Sequence, residues 1–449
     1  MSCTSAPTVR INTGRARHPA EHGHGHRKSP RYATLDNWIL FHINNTIHRQ
    51  EQTMSSPPDT ATRQAEILKL FEAEQQEPPR LRGRADVPGS PDGLTTDWLT
   101  DALCSGHDGA RVESFEHGTQ YNGTTSGRRL QIHYNRAGSD AGLPERLFAK
   151  FSPTVQARCL VGINGSSAGE VAFYNDIATT LPIEVPTCYY AAFEPRSCRT
   201  FLLLEDLAQT KKARFGTSID LTIDRAQAQS MVSLLATLHG AFWGEGNGPA
   251  YPYRTSLVYQ EDFNDTLGFE PLMVAGHDMA LDVLPPALHR RRLDWHPALM
   301  RSMELNVAAT PTLLHQDTHL ANWYALPDGS MGLADWQCVA RGQWALDVAY
   351  ALSIGLSTED RRAWERELIA GYLDQLAETV SDTPTFDEAW LAYRQQMFHA
   401  VSFWLAPFGI GEGGPVAADV SLSNIRRAAQ AIHDLDSFDA LDASPGSTR

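Results

Sequence analysis

Apolar residues recur at spacings of three and four through most of the second half of the chain. Such runs at 222–243, 297–309, 347–356, 361–380, 386–408 and 421–435 each predict a helix. The first half reads differently. Arg128-Arg-Leu-Gln-Ile-His-Tyr alternates like a strand. Leu147-Phe-Ala-Lys-Phe is a short apolar run, and Thr200-Phe-Leu-Leu-Leu-Glu-Asp-Leu has the pattern of a buried strand ending in two acids. Helices are predicted near 60–75, 98–103 and 166–180. In the last of these Glu170, Phe173, Tyr174 and Ile177 fall at spacings of three and four. The patterning predicts an α+β chain: strands and a helix, followed by a helical half. No internal repeat is present.

One stretch of the helical half breaks the pattern and carries chemistry. Leu313-Leu-His315-Gln316-Asp317-Thr-His319-Leu-Ala-Asn322 leads into Trp-Tyr-Ala-Leu, then Pro327-Asp328-Gly329-Ser330, then Met-Gly-Leu-Ala-Asp335-Trp336. Asp-Gly between two apolar runs predicts a hairpin. With Asp328 and Gly329 as the two turn residues, Asn322 is expected opposite Asp335. Directly opposed residues bring their Cβ atoms to roughly 5 Å. An amide and a carboxylate at the open end of a hairpin suit magnesium, which leaves the rest of its shell to water and phosphate. Asp317, just upstream, can accept a proton. One acid for a proton and an amide with a second acid for magnesium are the equipment of ATP-dependent phosphoryl transfer. A polar loop followed by an ordinary hairpin would share the turn signal but not this set of groups.

The stretch resembles the motif of the aminoglycoside phosphotransferase and ecdysteroid-kinase-like (CHK) group, within the protein-kinase-like superfamily. Those families commonly read His-Gly-Asp-x-His-x-x-Asn and then Asp-Trp or Asp-Phe. His315, Asp317, His319, Asn322, Asp335 and Trp336 match, while Gln316 replaces the glycine and Gln337 stands third in the Asp-Phe-Gly-like triplet. The resemblance spans about residues 90–435. It implies a two-lobed fold with an antiparallel N-lobe sheet plus helix and a mostly helical C-lobe. It also implies that Lys150 contacts the α/β-phosphates of ATP and that Glu170, on the following helix, orients it. A surface lysine and a solvated glutamate are the plain alternative. Gly118 and Gly123, in a glycine-rich turn before a strand, would let backbone amides approach phosphate, although such turns are common between strands. Glu205 and Leu207 mark the expected hinge, where backbone groups read adenine. Asp347 is expected to brace the catalytic loop, or simply to occupy a helix first turn, and the two are compatible. His315 and His319 are assigned to support of that loop, with no part in proton transfer. His239, on a strongly apolar helix, reads as a satisfied core histidine.

Length and charge fit this picture. A chain of 449 residues can bury two lobes. A net charge of −15 disfavours a nucleic-acid partner. Six cysteines (3, 104, 159, 188, 198 and 338) show no paired metal spacing and read as reduced thiols of a cytoplasmic protein. No apolar run is long enough to predict a membrane span. Residues 1–53 stand apart, with seven Lys/Arg against three Asp/Glu and six of the 17 histidines. His22-Gly-His24-Gly-His26 could bind metal but resembles a flexible tail more. Trp38-Ile-Leu-Phe is too short for a signal-peptide core, and Met54-Ser-Ser-Pro-Pro opens a more typical start. A disordered extension over 1–53 is expected, then a helix and linker over 54–90. An N-lobe over 91–207 and a C-lobe over 208–449 follow, with an insertion at about 244–296 that shapes the substrate site. The function expected is ATP- and Mg2+-dependent phosphorylation of a small-molecule hydroxyl. The rivals are a nucleotide-binding pseudokinase, which would normally lack one of Asp317, Asn322 or Asp335, and a protein kinase. The second is disfavoured by the eleven residues between Asp335 and Asp347, which leave no room for a long activation segment.

Overall fold

A computed structural model of the protein describes residues 60–244, 251–412, 414 and 416–443. The expected extension at 1–53 lies outside the described residues, as do 245–250 of the expected insertion. Helix α1 (Thr60–Gln76) and helix α2 (Thr96–Leu103) come first. A five-stranded antiparallel sheet follows: β1 (Val112–Asn122), β2 (Ser126–Tyr134), β3 (Arg146–Phe151), β4 (Cys188–Glu194) and β5 (Arg199–Glu205), in the order β1-β2-β3-β5-β4. The alternation in β2 puts Leu130, Ile132 and Tyr134 into a core with Trp98, Leu147, Phe201 and Leu203. Two helices cross between β3 and β4 where the sequence pattern predicted one. Gly165, at φ 85°, separates α3 (Val155–Gly162) from α4 (Ser166–Ala172). The helix expected to run to residue 180 instead widens into a π-helical turn over Phe173–Ile177. The four residues of its predicted stripe are all buried.

The remainder is mostly helical. Helix α5 (Arg225–Ala241) starts at a reciprocal cap between Asp224 and Gln227. Helices α6 (Ser256–Leu267), α7 (Phe269–Met279) and α8 (Trp295–Ala308) follow, so about half of the described part of 244–296 is α-helical. After a hairpin over residues 323–333 come α9 (Ala345–Gly355), α10 (Thr358–Leu376), α11 (Phe386–Gln395), α12 (Met397–Phe408) and α13 (Ala418–Asp434). Every residue of α9 is buried, as its all-round apolar composition requires. The single helix expected over 386–408 breaks at Gln396. The Gln396 amide donates to the Ser302 carbonyl (2.9 Å) and accepts from Asn306 (3.0 Å), tying the break to α8. The hairpin also departs from expectation by one register step. Trp323 faces Leu333, Tyr324 faces Gly332 and Ala325 faces Met331. Only Gly329 has positive φ, at 89°, so three residues form the loop rather than two. Asn322 therefore accepts from the Ala334 amide (2.8 Å), and Asp335 stands just beyond the ladder.

Helix α1 and the linker are docked rather than trailing. Glu74 accepts from Arg158 (2.7 Å) and from Arg199 (2.6 Å). Trp98 Nε1 donates to the Asp86 carbonyl and Tyr190 to the Arg84 carbonyl. Arg158 is buried, so removing its carboxylate leaves a charge without a partner. Glu74→Ala is expected to destabilise the fold by roughly 3 kcal/mol, read as a lower denaturant midpoint with early loss of amide protection in α1.

Candidate active site

The loop that carries His315, Gln316 and Asp317 is held by one buried carboxylate. Asp347, on the first turn of α9, accepts from the His315 amide (2.7 Å), the Gln316 amide (2.7 Å) and His239 Nε2 (3.2 Å). His239 Nδ1 pairs with the Tyr372 hydroxyl (2.9 Å), so both its ring nitrogens are satisfied. Gln316 stands at φ 66°, in the left-handed region that glycine enters at no cost. Its backbone is pinned from both sides, by Asp347 at the amide and by His399 Nε2 at the carbonyl (2.8 Å). That accounts for a non-glycine residue in this conformation. Burial pushes His399 down to about 4, so it is a neutral donor. Burial also lowers the His315 pKa. Its Nε2 donates to the Ala334 carbonyl (3.0 Å) and its Nδ1 accepts from the Asp317 amide (3.2 Å).

Asp317 projects from this loop beside His319, 3.5 Å from Nε2. Burial alone would raise the Asp317 pKa, but the His319 imidazole outweighs it and holds the carboxyl well below the usual range. Burial likewise opposes charge on His319, and the Asp317 carboxylate outweighs it, so the imidazole pKa is raised. Asn322 Nδ2 donates to both the carbonyl (2.8 Å) and the carboxylate (3.1 Å) of Asp317. Its nitrogen is spent there, and Oδ1 is the oxygen it can offer a cation.

Lys150 and Glu170 meet from β3 and α4, with Nζ 2.6 Å from the glutamate and 2.9 Å from Asp335 Oδ1. Burial disfavours the ammonium, but the Asp335 and Glu170 carboxylates outweigh it and raise its pKa. Asp335 sits at φ 61°. Trp336 behind it stacks on Phe173 at 3.7 Å and meets His315 edge-on at 4.7 Å. Gln337 donates to Thr125 Oγ1 (3.2 Å) at the tip of the β1–β2 hairpin.

Two cavities flank these groups. One, of about 600 Å³, is lined by Lys150, Gly127, Phe148 and the 204–208 segment. The other, of about 350 Å³, is lined by Asp317, His319 and an aromatic wall. Gly123, Thr125, Asn322 and Asp335 line both. Glu205 and Leu207 line the first. The Glu205 amide donates to the Thr187 carbonyl (2.8 Å) and its carboxylate accepts from Thr187 and Thr210. Gly118 lines neither cavity. It lies within β1, where a side chain would crowd Arg129. Sequence reasoning passed over Gly127, whose α-carbon packs against the Phe148 ring too closely for any side chain. Its place in the same glycine-rich run was the available signal. It also passed over Tyr259, Phe263 and Leu267, which line the second cavity and stand four residues apart in the chain.

Among the described residues no three His, Cys, Asp or Glu groups converge on a metal position. The donors that fit a cation are one carboxylate, Asp335, and one amide oxygen, on Asn322. That set suits a magnesium ion that completes its shell with phosphate and water, not a closed metal cage.

Residues 144–395, more than half of the chain, match the APH model of the phosphotransferase enzyme family, and the chain belongs to that family. The matched span begins just before β3, so the glycine-rich hairpin lies outside it. No curated protein sequence matches the chain significantly. Solved structures similar to it include an ethanolamine kinase from Plasmodium vivax, at 11% identity over 85% of this chain and 95% of that one, TM-score 0.42. Another is the choline kinase LicA from Streptococcus pneumoniae, at 13% identity over 72% and 94%, TM-score 0.40. A third is an aminoglycoside phosphotransferase from Streptomyces rimosus, at 14% identity over 69% and 98%, TM-score 0.36.

The Asp317–His319 pair sets a pH dependence with a definite sign. His319 has a raised folded pKa. Its contribution is fully present below about pH 6.5 and is lost as pH rises through the raised value. Asp317 has a depressed folded pKa, and its contribution is lost only as pH falls through that value. His319→Gln is therefore expected to lower the denaturation midpoint more at about pH 5.5 than at about pH 9. A midpoint difference independent of pH would remove the charge pair from the account.

Proposed function

We propose that the chain is an ATP- and magnesium-dependent kinase of a hydroxyl group on a small molecule. One observation carries this: the two cavities meet at Asn322 and Asp335, with Lys150 on one side and Asp317 on the other. A donor nucleotide in the larger cavity and an acceptor in the smaller would thus meet at the cation-binding pair.

The roles follow from the chemistry of each group. Backbone groups at Glu205 and Leu207 would read the base, with the Glu205 amide already committed within the protein. Lys150, oriented by Glu170, would neutralise the nucleotide phosphates. The backbone at Gly123 would cover them, steadied through Thr125 and Gln337. Asn322 and Asp335 would hold magnesium, which when bound supplies charge neutralisation at the transferred phosphoryl group. Asp317 would orient the acceptor hydroxyl and take its proton. Because His319 keeps Asp317 ionised, the carboxylate is a positioned but weak base. That suits a loose transition state in which alignment and charge neutralisation dominate. The short segment from Asp335 to Asp347 leaves little surface to dock a polypeptide, which favours a small acceptor.

The test is a pair of variants assayed with ATP, magnesium and a panel of hydroxylated compounds. Asp317→Asn should lower turnover by at least about a hundredfold with little change in ATP affinity. Asp335→Ala should abolish magnesium-dependent binding or turnover while leaving the fold intact. An asparagine variant with near-normal turnover would defeat the general-base role of Asp317. Nucleotide binding by the wild type without transfer to any hydroxyl would favour the pseudokinase.

A further inference from the structure

The cavity on the Asp317 side has two chemically different ends. At about 350 Å³ it lies at the small end of the range for small-molecule sites. Beyond the reacting groups its wall is aromatic. Phe263, Phe269 and Phe403 pack on one another with ring centroids 5.3–6.2 Å apart, and Tyr259 adjoins Phe263 at 5.1 Å. Leu272, Pro407 and Ile410 extend this wall, and Leu160 and Val161 line the cavity as well.

Charge is placed elsewhere. On α6 the lining positions 259, 263 and 267 are spaced by four and share one face. Glu261, Asp262 and Asp265 fall off that face. Asp262 is paired with Arg254, and none of the three lines the cavity. Among the described residues the carboxylates that do are Asp317 and Asp335. Both are engaged, by His319 and Asn322 in one case and by Lys150 in the other.

This lining selects among acceptors. A buried ammonium needs an uncommitted carboxylate or an aromatic cage around it. The Phe263, Phe269 and Phe403 rings pack on one another, with centroids 5.3–6.2 Å apart, as one wall of the cavity and not as a cage around it. A polyhydroxylated acceptor needs a partner for each hydroxyl it buries; the phenylalanine wall offers none, and of the polar side chains that also line the cavity Ser166 pairs with the Tyr259 hydroxyl and Gln337 with Thr125. We infer that the acceptor is a neutral, mainly apolar alcohol, its hydrocarbon body on the Phe263–Phe269–Phe403 wall and its hydroxyl at Asp317; this rests on the phosphotransferase reading above. In the transfer, the acceptor oxygen bonds to the γ-phosphorus as the bond from that phosphorus to the β,γ-bridging oxygen breaks. The hydroxyl proton passes to Asp317 and ADP leaves.

The test measures binding and turnover separately on the whole protein. Benzyl alcohol, 2-phenylethanol, menthol and borneol form one panel; choline, ethanolamine, kanamycin and glucose form the other. Calorimetry follows binding, and ADP release with ATP and magnesium follows turnover. The apolar panel should bind with a negative heat-capacity change and show KM values at least roughly tenfold below the second panel. Phe263→Asp, checked for folding by circular dichroism, should raise the apolar KM at least roughly tenfold. Preference for choline or kanamycin overturns the inference and leaves the phosphotransferase reading standing. Failure of the apolar alcohols to bind overturns the inference too. Apolar binding without ADP from any compound overturns the phosphotransferase reading, and the assigned chemistry of the cavity survives.

Discussion

The Lys150 ammonium, held between Glu170 and Asp335, is the contact on which the site depends. It joins the sheet, the helix α4 and the end of the catalytic hairpin at one atom. A buried lysine without carboxylate partners would be strongly disfavoured, and removing one member of a buried pair typically costs about 3–5 kcal/mol. The three elements are therefore locked in mutual position by charge. Packing reinforces the same alignment, because Trp336, next to Asp335, stacks on Phe173 in the π-helical turn that continues α4.

A second constraint works from below. Asp347 accepts from two consecutive backbone amides of the catalytic loop, and α9, which carries it, is buried throughout. His399 on α12 fixes the intervening carbonyl. Asp317 is thus presented by a loop whose preceding backbone is pinned from the helical core and whose own amide and carbonyl are met by His315 and Asn322. The neighbouring His319 imidazole holds its carboxyl pKa low. Lys150 fixes one side of the site and Asp347 the other, and Asn322 and Asp335 line both cavities between them.

Much of this was legible in the chain because it rests on local pattern. Asp-Gly marked the hairpin, and the apolar stripe of 166–180 marked the helix carrying Glu170, which the structure brings to Lys150. The rest depended on tertiary detail that periodicity does not encode. The hairpin slipped by one register because Gly329 alone supplies the positive φ, which a three-residue loop needs and a two-residue turn needs twice. The break at Gln396 is set by partners on α8, ninety or more residues away in sequence. Gly118 and Gly123 look alike in sequence, yet one packs within a strand and the other lines both cavities. The aromatic wall was legible only in part: Phe263 and Phe269 fall in the segment expected to shape the substrate site, whereas Phe403 comes from α12, more than a hundred residues further on.

The central claim is that these groups act together to move a phosphoryl group. Phosphorus NMR of wild type and Lys150→Met, each with ATP, magnesium and a hydroxyl acceptor, tests it most directly. The account predicts a new phosphomonoester signal matched by ADP in the wild type, and a rate at least about a hundredfold lower in the variant. Release of inorganic phosphate alone by the wild type, or equal rates of phosphomonoester formation in the two proteins, would contradict it.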